Sequence, residues 1–281
     1  MHPLFFGRSL VVATMHGKER VIAPILERSL GVKVLSEVTL DTDQFGTFSG
    51  EIDRKGTPLE VARAKCEAAM SITGADLAIA SEGSFGPHPE LFFAAADHEL
   101  LLFVDHKHHI ECSDTLLSTS TNFSKASVPD LGFLKSFADQ VNFPSHALIL
   151  KVEGLGNSTI KKGIRTLYEL EKTYEELVTF KMPITVETDM RAMHNPTRMG
   201  LIGQLAEKLV RKILNSCPSC NFPAFDIVSK NIGLPCSLCH FPTKSFRSYT
   251  YKCASCGYHK EIEFPHHKRF EDPTFCDFCN P

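Results

Sequence analysis

Eight of the ten cysteines fall between positions 217 and 279 as four C-x-x-C pairs: Cys217/Cys220, Cys236/Cys239, Cys253/Cys256 and Cys276/Cys279. Two thiolates at that spacing on one tight turn can face the same ion, and two such turns supply a tetrahedral shell of four sulfurs. Four pairs therefore predict two structural zinc ions. Disulfides would need an oxidising compartment. A redox C-x-x-C generally occurs once and opens a helix, rather than recurring along a short segment. Cys66 and Cys112 stand alone and belong to neither site.

Around the third pair, TKSFRSYTYK and GYHKEIEF read as two strands meeting at the Cys253/Cys256 turn. The segment resembles a zinc ribbon. On that resemblance Cys236/Cys239 share a metal with Cys253/Cys256, and Cys217/Cys220 close with Cys276/Cys279; sequential pairing is the alternative. Eight thiolates already fill two sites, so His240, His259, His266 and His267 are expected at the surface. Residues 213–281 hold seven Lys/Arg against six Asp/Glu. Without the basic stripe of a nucleic-acid binder, this module is expected to be structural or to contact a protein partner, and nucleic acid is not favoured.

Three more clusters carry residues suited to phosphate chemistry. Thr14-Met15-His16-Gly17-Lys18-Glu19 follows the apolar run SLVVATM, and the N–H groups of a helix start beside Lys18 could hold an anion. Ser81-Glu82-Gly83-Ser84-Phe85-Gly86-Pro87-His88-Pro89 follows LAIAS, and its glycines and prolines read as an irregular loop that sets Glu82 at a strand's carboxyl end. A carboxylate so placed binds a divalent cation or acts as a base. In the third cluster, Glu187 to Arg198, Asn195 is suited to N-cap and Pro196 to the first helical position. Arg198 in that first turn opposes the helix dipole unless it helps to bind an anion, with Arg191 as a second arm. The competing reading is an ion-pair network among Glu187, Asp189 and the two arginines.

The elements that must position these clusters alternate. Strands are read at 9–15, 32–38, 77–81, 146–152 and 184–190, with a hairpin over 99–112. Helices are read after residue 16, from a capping box at Thr57, Pro58 and Glu60, over 129–142 and 159–179, and from Pro196 onward. Alternation of this kind predicts a mixed-sheet three-layer α/β domain over residues 1–212, followed by a small zinc-ribbon-like module over 213–281.

Bulk properties agree with a folded, non-membrane chain. The 281 residues are 43% hydrophobic with a net charge of −3, which excludes wholesale disorder and a surface built to grip nucleic acid. No run approaches the ~18 apolar residues of a membrane span. Arg8 interrupts the apolar start and no cleavage site follows, so the expected compartment is the cytoplasm.

The first ninety residues resemble the inosine/xanthosine triphosphate pyrophosphatase superfamily, which includes the Maf-like proteins. Thr14-Met15-His16-Gly17-Lys18 matches that family's first turn, Ala62-Arg63-Ala64-Lys65-Cys66 its helix pattern, and Asp76 to Gly83 its alanine-rich strand ending in an acidic motif. His16 stands where that family has Asn, and Glu82 alone stands where two aspartates are frequent. The whole chain also resembles an uncharacterised bacterial family of unknown function.

The pyrophosphatase resemblance implies a metal-dependent hydrolase of a nucleotide or other phosphorylated small molecule. Glu82, with Glu51 or Asp41, would hold Mg2+ or Mn2+. Lys18, Lys65, Asp189 and Arg191 would form the catalytic set with Glu82, and Thr14, His16, Ser84, His88, Asn195 and Arg198 would contact substrate. The alternative is a non-catalytic adaptor whose ribbons dock a partner.

Overall fold

The computed structural model describes residues 2–35, 56–152, 154 and 159–281, so Asp41 and Glu51 lie outside the described residues. The chain divides into two compact units, Pro3–Val210 and Arg211–Pro281.

The first unit is a mixed α/β fold built on two sheets. One has the order β2-β1-β3-β4-β5, formed by β1 (Ser9–Ala13), β2 (Lys33–Leu35), β3 (Leu77–Pro87), β4 (Ala95–Asp105) and β5 (Ile110–Ser118). β1 runs parallel to both β2 and β3, whereas β3, β4 and β5 form an antiparallel meander, so the sheet is mixed as expected. The β1–β2 crossover is helix α1 (Glu19–Leu30), which continues through Pro24 and ends at Gly31 in the left-handed conformation. The route to β3 carries α2 (Pro58–Thr73), opened by the expected capping box of Thr57 and Glu60. Because β2 and β3 flank β1 on opposite sides, right-handed crossovers put the two helices on opposite faces.

Burial confirms both faces. Ala62, Cys66, Ala69 and Met70 of α2 pack on Val11, Ala13, Ala78, Ala80, Leu100 and Leu102. The alternate residues Leu10, Val12, Leu77, Ile79, Leu101 and Phe103 are buried on the other face, as the two-residue strand period requires. Near that face α5 (Pro196–Ile213) lies beside α1, with Gly203 close to Val21.

The second sheet is wholly antiparallel, in the order β6-β9-β7-β8. It comprises β6 (Lys125–Val128), β7 (Leu148–Val152), β8 (Ile160–Ile164) and β9 (Ile184–Thr188). Helices α3 (Leu131–Gln140) and α4 (Leu167–Val178) bury Leu134, Phe137, Leu170 and Leu177 against Leu148, Leu150, Ile164 and Val186.

The structure departs from two of the sequence expectations. Residues 159–179 are not one helix: β8 pairs with β7 first, and α4 starts only after Thr166 accepts from Glu169 N as its cap. Nor is 81–89 an irregular loop, because β3 pairs with β4 without interruption from Leu77 to Pro87. Gly83 serves close packing instead of turning.

The second unit is a three-stranded meander of β10 (Asp226–Ile232), β11 (Phe246–Lys252) and β12 (His259–Glu263). The two strands read around the Cys253/Cys256 turn are β11 and β12, while β10 gave no clear signal. Cys217, Phe225 and Cys253 form its small core, with Phe222 and Tyr251 against it.

Candidate functional site

β1 ends at Ala13 while its parallel neighbour β3 runs on, which leaves an open edge beyond β1. Ligand sites of α/β folds form at such carboxyl ends. The chain turns there through Thr14, whose Oγ1 accepts from His16 N at 3.3 Å, and through Gly17 at φ 72. Lys18 is thereby folded back over the sheet and is only 6% exposed. Its ammonium donates to Ser81 Oγ at 2.5 Å, and among the described residues it meets no carboxylate within ion-pair distance.

The pleat of β3 sends Ser81, Gly83 and Phe85 to one face and Glu82 and Ser84 to the other. On the α2 face, Lys65 is ion-paired with Glu82, both largely buried. Lys18 and Glu82 thus approach the open edge from opposite sides of the sheet. Their charges still act on each other there, the Glu82 carboxylate favouring the protonated ammonium.

On the other face, Arg198 is 1% exposed and its Nε donates to Glu99 Oε1 at 2.5 Å. It also donates to the Met190 carbonyl, and its guanidinium lies 5.0 Å from the centre of the Phe85 ring. Asn195 caps α5 as expected, its Oδ1 accepting from Arg198 N at 3.0 Å. Asn195 Nδ2 donates in turn to Asn122 Oδ1, and His146 bonds Thr197 through Nε2 at 2.9 Å. Arg198 is therefore tied to protein groups through Nε, Nη1 and its backbone N–H.

Asp189 is fully buried and accepts from Arg191 Nη2 at 2.6 Å and from Gly163 N at 3.1 Å. Its oxygens tie β8 to the turn before α5. Glu187 does not join that network, since it pairs with Lys125 and Lys151.

The electrostatics follow from crowding four cations around one turn. Burial lowers the His16 imidazole to about 4, helped by Lys18, Arg198, Arg191 and Lys65. Burial also lowers Lys18 to about 7, with Arg198 adding to the effect and Glu99 opposing it. The charges of Lys18, Arg198, Arg191 and Lys65 thus all bear on His16 and form one electrostatic cluster. Ser84 lies two residues beyond Glu82 on the same face of β3. His88 does not belong: it is six residues beyond Glu82 along a strand, about 20 Å away, and its Nδ1 accepts from Glu90 N and Leu91 N in the hairpin turn.

Two acidic residues went unread in the sequence. Asp97 and Glu99 on β4 are 1% and 0% exposed. The signal was their parity, shared with the core residues Leu101 and Phe103 rather than with a solvent face.

In the second unit the cysteines gather into two groups, Cys217/Cys220/Cys253/Cys256 and Cys236/Cys239/Cys276/Cys279. Sulfur–sulfur separations are 3.7 Å for Cys217–Cys256, 3.6 Å for Cys220–Cys253 and Cys239–Cys276, and 3.9 Å for Cys236–Cys279. These exceed the ~2.05 Å of a disulfide and suit four sulfurs around one ion. The pairing is first with third and second with fourth, which corrects both nested and sequential readings. The register explains it. β10 pairs antiparallel with β11, so Asp226 faces Lys252 and the knuckle before β10 meets the one after β11. At the opposite end Ile232 faces Phe246 and Glu263 faces Ser248, which brings the second and fourth knuckles together.

Three of the knuckles repeat one construction. Cys217, Cys236 and Cys253 each donate N–H to the carbonyl five residues on, at 2.8–2.9 Å. Asn221, His240 and Gly257 occupy the left-handed position of that turn. His240, His259, His266 and His267 are exposed and outside both groups. Cys66 and Cys112 are buried in the first unit.

A family model described as Domain of unknown function (DUF6671) matches residues 65–281. The chain belongs to that family. The DUF6671 match takes in Lys65, Glu82, Glu99, Arg198 and all eight clustered cysteines, whereas Thr14, His16 and Lys18 precede it. Among curated proteins there is no match. Among the described residues no helix is long and apolar enough to cross a membrane.

Proposed function

We propose that the first unit binds and hydrolyses a nucleotide or another phosphorylated small molecule, and that the second unit is a module folded around two structural zinc ions. The observation that carries the first half is Lys18: a buried ammonium at a strand's carboxyl end, bonded to a hydroxyl and, among the described residues, outside ion-pair distance of every carboxylate. Burying a cation this way is costly unless an anion joins it. A phosphate group bound there would restore the balance, with His16 and Arg191 at its margin. The likeness of residues 9–90 to the pyrophosphatase superfamily points to the same chemistry.

Mg2+ and Mn2+ suit a site of one or two carboxylates completed by substrate phosphates. Glu82 is the carboxylate at this edge, and it shares its charge with Lys65. A divalent ion held there would supply Lewis-acid charge to the phosphate. Lys65 then holds Glu82 in place, and Lys18 takes the charge that develops on the leaving phosphate. The test is release of phosphate or pyrophosphate from a nucleotide panel with Mg2+ or Mn2+, using wild type, Lys18→Met and Glu82→Gln. Turnover lost in both variants with the fold retained supports the reading; binding without release in wild type favours the adaptor.

The adaptor reading has its own observation. Leu238, Phe241, Phe275 and Phe278 are exposed around the second cysteine group, and Phe241 stacks on Phe278 at 4.7 Å. Exposed apolar patches of this kind mark protein contacts.

Zinc is favoured by the donor set and the sulfur geometry. At a Zn–S bond of ~2.3 Å a regular tetrahedron has edges of about 3.8 Å, which matches the separations given above.

A further inference from the structure

Asp97 and Glu99 stand two residues apart on one face of β4, both essentially without solvent contact. Glu99 Oε1 is taken by Arg198, but Glu99 Oε2 and Asp97 Oδ1 are buried with no hydrogen-bond donor. An orphaned carboxylate oxygen costs more than an unmade hydrogen bond between neutral groups. Two of them on adjacent same-face carboxyls have one economical remedy, a proton held between them. We propose that Asp97 and Glu99 share a single proton, and that this carboxyl pair is the acid–base group of the proposed phosphate site. The second clause rests on the phosphate reading above; the first does not.

The surroundings favour one proton over two or none. Across β3, Asp97 faces Phe85 and Glu99 faces Gly83; across β5 they face Ser118 and Leu116, all uncharged. The charged groups acting on Asp97 are Glu99, Arg198 from α5 and Lys18 from the turn before α1. Arg198 neutralises one carboxylate, which is Glu99. Among the described residues Asp97 makes no ion pair of its own, and like charges on neighbouring buried carboxyls do not both ionise. Burial and the Glu99 carboxylate accordingly raise Asp97 to about 7. A carboxyl poised there can give or take a proton near neutrality, as phosphate hydrolysis requires.

The test follows the carboxyl carbons of the full-length protein by 13C NMR from pH 4 to 9. Asp97 is expected to titrate near pH 7, about 3 units above an ordinary aspartate. Asp97→Asn should leave thermal stability near wild type while Glu99→Gln lowers it, because only the latter strips Arg198 of its partner. Titration of Asp97 near pH 4 would overturn the shared proton. So would Mg2+ that moves the Asp97 signal and stabilises wild type but not Asp97→Asn, since the pair would then be a cation site. In the hydrolysis assay, Asp97→Asn should lower kcat by about 10²-fold, with KM little changed and the pH limb near 7 removed. Unchanged turnover in Asp97→Asn, or no turnover in wild type, overturns the acid–base role and leaves the NMR result to decide the proton by itself.

Discussion

Gly83 lies so close beneath the Arg198 guanidinium that a Cβ on it would overlap Nη2 and stand 2.5 Å from Glu99 Oε1. The glycine is there to let β3 pass under a buried ion pair. Gly83→Ala should therefore displace Arg198 or Glu99 and destabilise the fold by about 1–3 kcal/mol, the usual range for overpacking. Gly86→Ala, three residues on where a Cβ meets open space, should change little. Urea unfolding of the two variants checks the contrast.

Arg198 was read as an anion clamp, but its partners are Glu99 and the Met190 carbonyl. Arg198→Ala is expected to cost about 3–5 kcal/mol, because a buried carboxylate loses its counter-charge. A variant that folds at wild-type stability and only weakens phosphate binding would restore the clamp.

His16 and Lys18 make opposite demands on pH. The folded His16 titrates at about 4, below the ordinary ~6.5. The unfolded chain thus binds the extra proton between those values, and stability is lost as pH falls through that window. His16→Asn should remove this slope, so that the wild-type-minus-variant stability difference falls as pH goes from 6.5 to 4. For Lys18, at about 7 in the free protein, the cation fades as pH rises. Phosphate affinity, measured by calorimetry, should fall above pH 7 with proton uptake on binding, and Lys18→Met should abolish both trends.

The cysteine pairing is open to a count of metal. Wild type should carry two equivalents of zinc, and chelation should unfold the second unit, since metal binding supplies the folding energy of such modules. Replacing Cys220 and Cys256 with Ser should leave one equivalent. Replacing Cys220 and Cys279 should leave none, because each change then opens a different site. Cys66→Ala and Cys112→Ala should keep both.

What the sequence made legible was whatever local pattern decides. The capping box at Thr57, the Asn195 cap and the four knuckles each need only a few neighbouring residues, and each stands where it was read. The Ser81–Pro89 segment resembles a loop because its glycines look like turn residues, while the purpose of Gly83 depends on Arg198, more than a hundred positions away. β8 was absorbed into a helix because IKKGI alternates too briefly to show its pairing with β7. The charge partners of Lys65 and Arg198, and the join between first and third knuckles, are products of register. Register is a long-range property that no window along the chain contains.

The interleaved knuckles also set an order of events during synthesis. The first metal cannot be enclosed until Cys256 has been made, and by then Cys236 and Cys239 are already inside the closed loop. Half of the second site is thus pre-assembled when the first one shuts, waiting on only Cys276 and Cys279. A chain interrupted before residue 276 would keep one ion and present two unfilled thiolates beside the exposed Phe241. With metal bound, the module would thus close only when its fourth knuckle is made, and short of that its second knuckle would stand as an aromatic-flanked dithiol.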